Sequence, residues 1–296
     1  MNKYIVITTI AGTFCLTALA PQKSFAGTLY QGWNYALDSF NDGVSGDIIG
    51  PQGAFEFYSL AIKEEDNNLF IALNANLPLT GDPNPNVTNG SIAWGDLFFN
   101  FSGQNFLSAS DNNQLFAVRF SAANDSTVPE LGVYQNVTAK SVTTENSGFI
   151  SLEQYNNTVT NGGGVATMAD LAINNPYWEY TGSNNILNSI ATGEKIGEIN
   201  FLDSATQTLL GLDFAHFNAA GSHTIAFSAS KDLFPSGDFI AHVLAECAND
   251  GMALQGQLAT QPLPEEESKD VPESSTPISL LGLGLVILNR GLRKEP

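Results

Sequence analysis

Two apolar runs in the first third of the chain set the terms for any fold. "AFEFYSLAIKE" (residues 54–64) and "NLFIALNANL" (residues 68–77) are each of strand length, and a polar Glu65-Asp66-Asn67 step divides them. Strand-length runs joined by so short a polar step read as a β-hairpin. The pattern then recurs. "SIAWGDLFFNFSG" (91–103), "QLFAVRFSA" (114–122) and "LGVYQNVTAKSV" (131–142) follow at close spacing, and "TLLGLDFAHF" (208–217), "HTIAFSAS" (223–230) and "DFIAHVLAEC" (238–247) come later. In "HTIAFSAS", Ile225, Phe227 and Ala229 alternate with smaller residues, the period of a half-buried strand. Turn clusters such as "TGDPNPNVTNG" and "NGGG" separate the runs. One helix is expected, around "VATMADLAINN" (165–175). Many short strands with regular turn signals predict an all-β fold: one β-sandwich or jelly-roll-like domain over residues 27–261.

Composition fits that expectation and narrows the partners. Of 296 residues, 43% are hydrophobic and 14% charged, so a sizeable core is available and the surface falls to Asn, Ser, Thr, Gln and Gly. The formal net charge is −19. A body this acidic repels phosphate backbones, which argues against nucleic-acid binding. Acidity of this kind serves solubility or divalent-cation binding. Cys15 lies in the N-terminal apolar run, which leaves Cys247 alone in the remaining chain. Alternation places Cys247 with Phe239, Ala241, Val243 and Ala245, so a buried structural thiol is expected.

The two ends read as addresses. Residues 1–26 have the three parts of a secretory signal: Lys3, an apolar stretch from Tyr4 to Ala20, and Ser24-Phe25-Ala26 with small residues where a signal peptidase reads. Cleavage is expected after Ala26. Residues 262–270 form an acidic, Pro-flanked flexible linker. Residues 274–289 then carry no charge and are followed by Arg290, Arg293 and Lys294. As a helix that span is about 24 Å long, short of the roughly 30 Å hydrocarbon core. Snorkelling of the basic residues closes the gap, and those residues hold the end cytoplasmic.

Catalytic groups are few. The histidines are His216, His223 and His242, and the first and last fall within apolar runs, where a satisfied core histidine is the commoner case. There is no His-Glu-x-x-His, no Gly-x-Ser-x-Gly and no phosphate loop. Glu56 among Phe55, Phe57 and Tyr58, and Asp96 after Trp94-Gly95, would suit a sugar site or simply face a sheet. "DSFNDGVSGD" is the best local group of oxygen ligands. Asp38, Asn41, Asp42 and Asp47 lie close together with Gly43 and Gly46, and they would hold a structural calcium ion or form an Asx-rich turn.

The tail has a specific likeness. Val271-Pro272-Glu273, the short Leu/Gly span and the basic end (residues 271–296) resemble a PEP-CTERM sorting signal, with Ser274 where the motif's second proline usually stands. Within that group the body resembles the XDD-type exosortase-dependent surface proteins of bacteria. The residues that carry this are "WNYALDSFNDG", "FEFYSLAIKE", "GSIAWGDLFFNFSG", "LGVYQNVTAKSV" and "SGDFIAHVLAECANDG". The resemblance implies transient insertion of the tail in the inner membrane, processing by an exosortase and delivery to the cell surface. It implies no catalytic residues. The expected function is a secreted, non-catalytic structural or adhesive surface or extracellular-matrix protein. The alternatives are a polysaccharide-binding module stacking sugars on Trp33, Trp94 and Trp178, and a secreted glycoside-active enzyme.

Overall fold

The computed structural model describes residues 27–178 and 186–259, so the expected signal (1–26), linker (262–270) and sorting tail (271–296) lie outside the described residues. In chain order the strands and helices begin with β1 (Thr28–Tyr30), β2 (Trp33–Leu37), β3 (Val44–Ser45), β4 (Ile48–Ile49), β5 (Phe57–Glu65) and β6 (Asn68–Ala75). There follow β7 (Asp82–Pro83), β8 (Ser91–Ile92), β9 (Leu97–Asn100), α1 (Phe106–Asp111), β10 (Leu115–Arg119), β11 (Gly132–Lys140) and α2 (Leu152–Asn161). The chain then runs through β12 (Ser189–Gly197), β13 (Asn200–Phe201), α3 (Ser204–Leu209), β14 (His223–Ser230), β15 (Gly237–Leu244) and β16 (Gly251–Leu258).

Two six-stranded antiparallel sheets dominate, ordered β1-β2-β5-β6-β14-β13 and β12-β11-β10-β9-β15-β16. β3 pairs with β4 and β7 with β8 in small ribbons. The hairpin read from the sequence is β5–β6, in register Leu60↔Leu73 and Ile62↔Ile71. Its turn residue Asp66 takes φ +52°, a left-handed conformation that Asp tolerates better than most residues. Leu60, Ile62, Ile71, Leu73 and Phe227 of the first sheet meet Leu97, Phe99, Val118, Ala241 and Val243 of the second in the central core. The all-β sandwich expected from the sequence is therefore the fold.

Both outer faces are covered as well. Trp33, Tyr35, Tyr58, Ala61 and Ala72 of the first sheet pack under Leu210, Leu212, Phe214 and Phe217 from the segment after β13. Phe98, Leu115, Ala117 and Tyr134 of the second pack under Phe106 of α1, Tyr155 and Val159 of α2, and Tyr177 and Trp178. A sheet buried on both faces needs apolar residues in both strand phases. That is why β9 reads Leu-Phe-Phe-Asn with every position buried.

Three local expectations are corrected. Residues 165–175 are not helical: Met168 and Leu171 exchange backbone hydrogen bonds across a tight turn, and Ala169 sits at φ +54°. The helix of this region is α2, opened by Ser151, whose side chain accepts from the Gln154 N–H. Residues 208–217 are not a strand but the end of α3 and a 3-10 turn at Ala215–Phe217. His216 is therefore exposed, with its ring stacked on Tyr30 at 3.9 Å. Cys247 meets its expectation, being fully buried in the central core with Phe239, Ala241, Val243 and Ala245. Burial pushes its thiol well up.

The first described residue and the last strand meet on one side chain. The Asn34 carboxamide lies against Gly27, and its Nδ2 donates to the Gln255 carbonyl at 3.0 Å. Just beyond β16, the Ala259 N–H donates to Glu64 at the end of β5.

Candidate functional site

At one end of the sandwich the two sheets are joined by carboxylates. Asp38 follows β2, Asp42 lies in the loop toward β3, Glu56 immediately precedes β5, and Asp250 sits in the turn between β15 and β16. Asp38 is 7% exposed, and Asp42, Glu56 and Asp250 are 0% exposed. Asp38, Asp42 and Asp250 each offer an oxygen within 4.8 Å of one another.

Each carboxylate is aimed by donors from a different segment. Asp38 Oδ1 accepts from the Thr167 hydroxyl and from the Ala169 N–H. Asp42 Oδ2 accepts from the Thr167 N–H at 2.8 Å, so one threonine orients both aspartates. Glu56 Oε2 accepts from the Gly43 N–H at 2.9 Å. A Cβ on Gly43 would lie 2.5 Å from the Glu56 Cα, so this approach requires glycine. Asp250 Oδ2 accepts from Phe57 N–H at 2.7 Å, and its Oδ1 accepts from the Tyr155 hydroxyl and Gly251 N–H. The second oxygens of three groups, Asp38 Oδ2, Asp42 Oδ1 and Glu56 Oε1, are buried without a hydrogen-bond partner.

The electrostatics follow from that placement. Burial raises Asp38, Asp42 and Asp250, and the neighbouring carboxylates raise Asp42 and Asp250 further, whereas the hydrogen bonds to Asp38 work against its rise. Glu56 is pushed up to about 8, first by burial and then by Asp38. Tyr155 is raised well above its ordinary value, so its hydroxyl stays protonated and donates. The ion pairs among the described residues lie elsewhere: Lys63 with Glu65, Lys195 with Glu130 and Glu198, Lys231 with Glu64. An ionised carboxylate buried without a partner costs several kcal/mol. Such a group either carries protons or holds a cation.

A second buried acidic region in the molecule shows the contrast. Asp96 Oδ1 accepts from Asn124 Nδ2 and its Oδ2 from the Ile190 N–H. Glu246 Oε2 accepts from the Ala93 N–H and its Oε1 from the Asp125 N–H. Arg119 ties the same loop, donating to Asn124 Oδ1 and the Val128 carbonyl. Here each carboxylate oxygen is accounted for by the protein itself, as in a structural network.

The sequence-derived site residues divide accordingly. Asp38 and Asp42 are in the cluster. Asn41 and Asp47 are exposed, and Asn41 Oδ1 accepts from its neighbour Ser39, so neither completes the expected calcium set. Asp250 joins Asp38 and Asp42 instead, with Glu56 nearby, and the local spacing of residues 38–47 reveals neither. Asp250 stands in "ECANDG", an Asx-Gly turn signal, and Glu56 is the lone acid of an aromatic run. The sugar-stacking trio is also corrected. Trp33, Trp94 and Trp178 are 0%, 1% and 4% exposed and belong to three different cores, so they offer no shared surface for a sugar ring. Asp96 and Glu56 fall in the two separate networks just described rather than facing each other as a pair. His242 lies in β15 with Nδ1 bonded to the Tyr177 hydroxyl at 2.8 Å and its ring among Phe98, Phe106 and Trp178. Burial pushes it down to about 3, which makes it a neutral core histidine. The expected ends, Ser24 and Ala26, Val271, Pro272 and Glu273, and Arg290, Arg293 and Lys294, lie outside the described residues.

No protein-family model, no curated protein and no solved structure matches the chain.

Proposed function

We propose that the protein is a secreted, non-catalytic structural or adhesive component of the cell surface or extracellular matrix. The observation that carries this reading is the double covering of the sandwich. Its tryptophans are buried, and His242, Asp96, Glu246 and Cys247 all lie inside the packing that holds the domain together. Chemistry-bearing residues used this way suit a durable scaffold with a polar, acidic surface. The sequence supplies the route. A signal peptidase would remove residues 1–26, and the tail at residues 271–296 would insert transiently in the inner membrane. An exosortase would then act near Val271-Pro272-Glu273. A polysaccharide partner would be met by Asn, Ser and Thr side chains, not by a tryptophan platform.

Intact-mass spectrometry of the protein recovered from its native host tests this reading. The expected product begins at Gly27 and ends near Val271–Glu273. A product that keeps residues 1–26, or one ending at Pro296, would overturn the delivery route.

A further inference from the structure

We propose that Asp38, Asp42 and Asp250, bordered by Glu56, form a binding site for one hard divalent cation of the calcium class, which ties the two sheets together at one end of the sandwich. The proposal is independent of where the protein resides.

The geometry has three parts. First, the donors are all oxygen, the set that favours calcium or magnesium over zinc or copper. Second, the spacing is right. Calcium takes oxygen ligands at 2.3–2.6 Å, so two ligands on one ion lie at most about 5 Å apart. The oxygens offered by Asp38, Asp42 and Asp250 fall within 4.8 Å of one another. Third, the bonding is asymmetric. Asp38, Asp42 and Glu56 each place one oxygen on protein donors and leave the other buried and bare. Donors on the outer oxygens fix the direction of the inner ones, as the supporting shell of a metal centre does. Asp96 and Glu246 leave no such bare oxygen, each accepting from the protein on both. Asp250 also accepts on both oxygens and would meet the ion through a remaining lone pair.

Calcium fits better than magnesium. Magnesium demands near-ideal octahedral geometry and keeps several waters, whereas calcium accepts several carboxylates in a flexible shell. The ligands come from the loop after β2 and the β15–β16 turn, with Glu56 alongside and Thr167 and Tyr155 as supports. A cation here would couple segments that are more than 190 residues apart in sequence.

The test uses the full chain, stripped with EDTA and titrated with calcium chloride. Calorimetry is expected to show one site per chain. At a hundredfold excess over Kd the melting temperature is expected to rise by about 5–10 °C. Terbium supplies a readout that does not depend on stability. Tyr155 bonds directly to Asp250, so terbium in the site is expected to give tyrosine-sensitised emission that Tyr155→Phe dims and excess calcium abolishes. Asp42→Asn is expected to remove calcium binding while the metal-free protein still folds, because one uncompensated charge is gone. Asp47→Ala, at an exposed position, is expected to leave binding unchanged. The proposal is overturned if calcium produces neither heat nor a melting shift and wild-type protein gives no sensitised terbium emission. Loss of binding in Asp47→Ala with retention in Asp42→Asn would equally overturn this ligand set.

Discussion

Single residues hold this molecule at two points, and both can be tested. Arg119 is buried, and its guanidinium serves Asn124 and the Val128 carbonyl together. Removing one member of such a network strands the others, so Arg119→Ala is expected to cost about 3–5 kcal/mol in urea unfolding. Arg119→Lys is expected to recover little, because an ammonium cannot reproduce the planar fork. At Gly43 the limit is steric. Gly43→Ala would press a methyl group against the Glu56 backbone and is expected to cost about 1–3 kcal/mol by the same measurement. Only part of this was legible beforehand. Asp38 and Asp42 stand out in "DSFNDGVSGD" because they are close in sequence, but so do Asn41 and Asp47, which the loop turns outward. Local spacing reports proximity along the chain, not the direction of a side chain. Asp250 arrives from the far end of the sequence through sheet pairing, which no local pattern encodes.

Strands were easier to read than helices, for a physical reason. β5, β6, β10, β14 and β15 are buried on one or both faces, so their apolar runs are dense and their ends are marked by turns. β12 was missed. It is an edge strand with alternating exposure, two glycines and three register irregularities against β11, so burial never wrote an apolar run into it. The helix expected over residues 165–175 failed where Thr167 and Ala169 give their N–H groups to Asp42 and Asp38 instead of to a helical ladder. α2 was hidden by its polar middle, Glu-Gln-Tyr-Asn-Asn-Thr, and announced only by its cap. Ser151→Ala is expected to lower stability by about 1 kcal/mol, read as a fall in the urea midpoint at unchanged slope. Because Tyr155 of α2 donates to Asp250, the same change is also expected to weaken calcium binding modestly.

For the whole molecule, pH acts from both sides. His242 is held at about 3 against an ordinary 6.5, so the stability tied to its neutral form is present above 6.5 and lost as pH falls toward 3. Glu246 is held at about 8 against an ordinary 4.5, so its contribution is present below 4.5 and lost as pH rises through 8. Glu56 acts in the same direction as Glu246. Thermal melts in EDTA are therefore expected to peak on the mildly acidic side, at about pH 5–6.5. A maximum above pH 8 would contradict the burial of these carboxylates. His242→Phe is expected to flatten the acid limb and leave the alkaline limb in place.

Asn34 has a further consequence. Because it touches both Gly27 and the Gln255 carbonyl, one carboxamide of β2 fastens the start of the first sheet to β16, the edge strand of the second. It works as a clasp: the two sheets are held at this edge by a single polar catch as well as by their apolar filling.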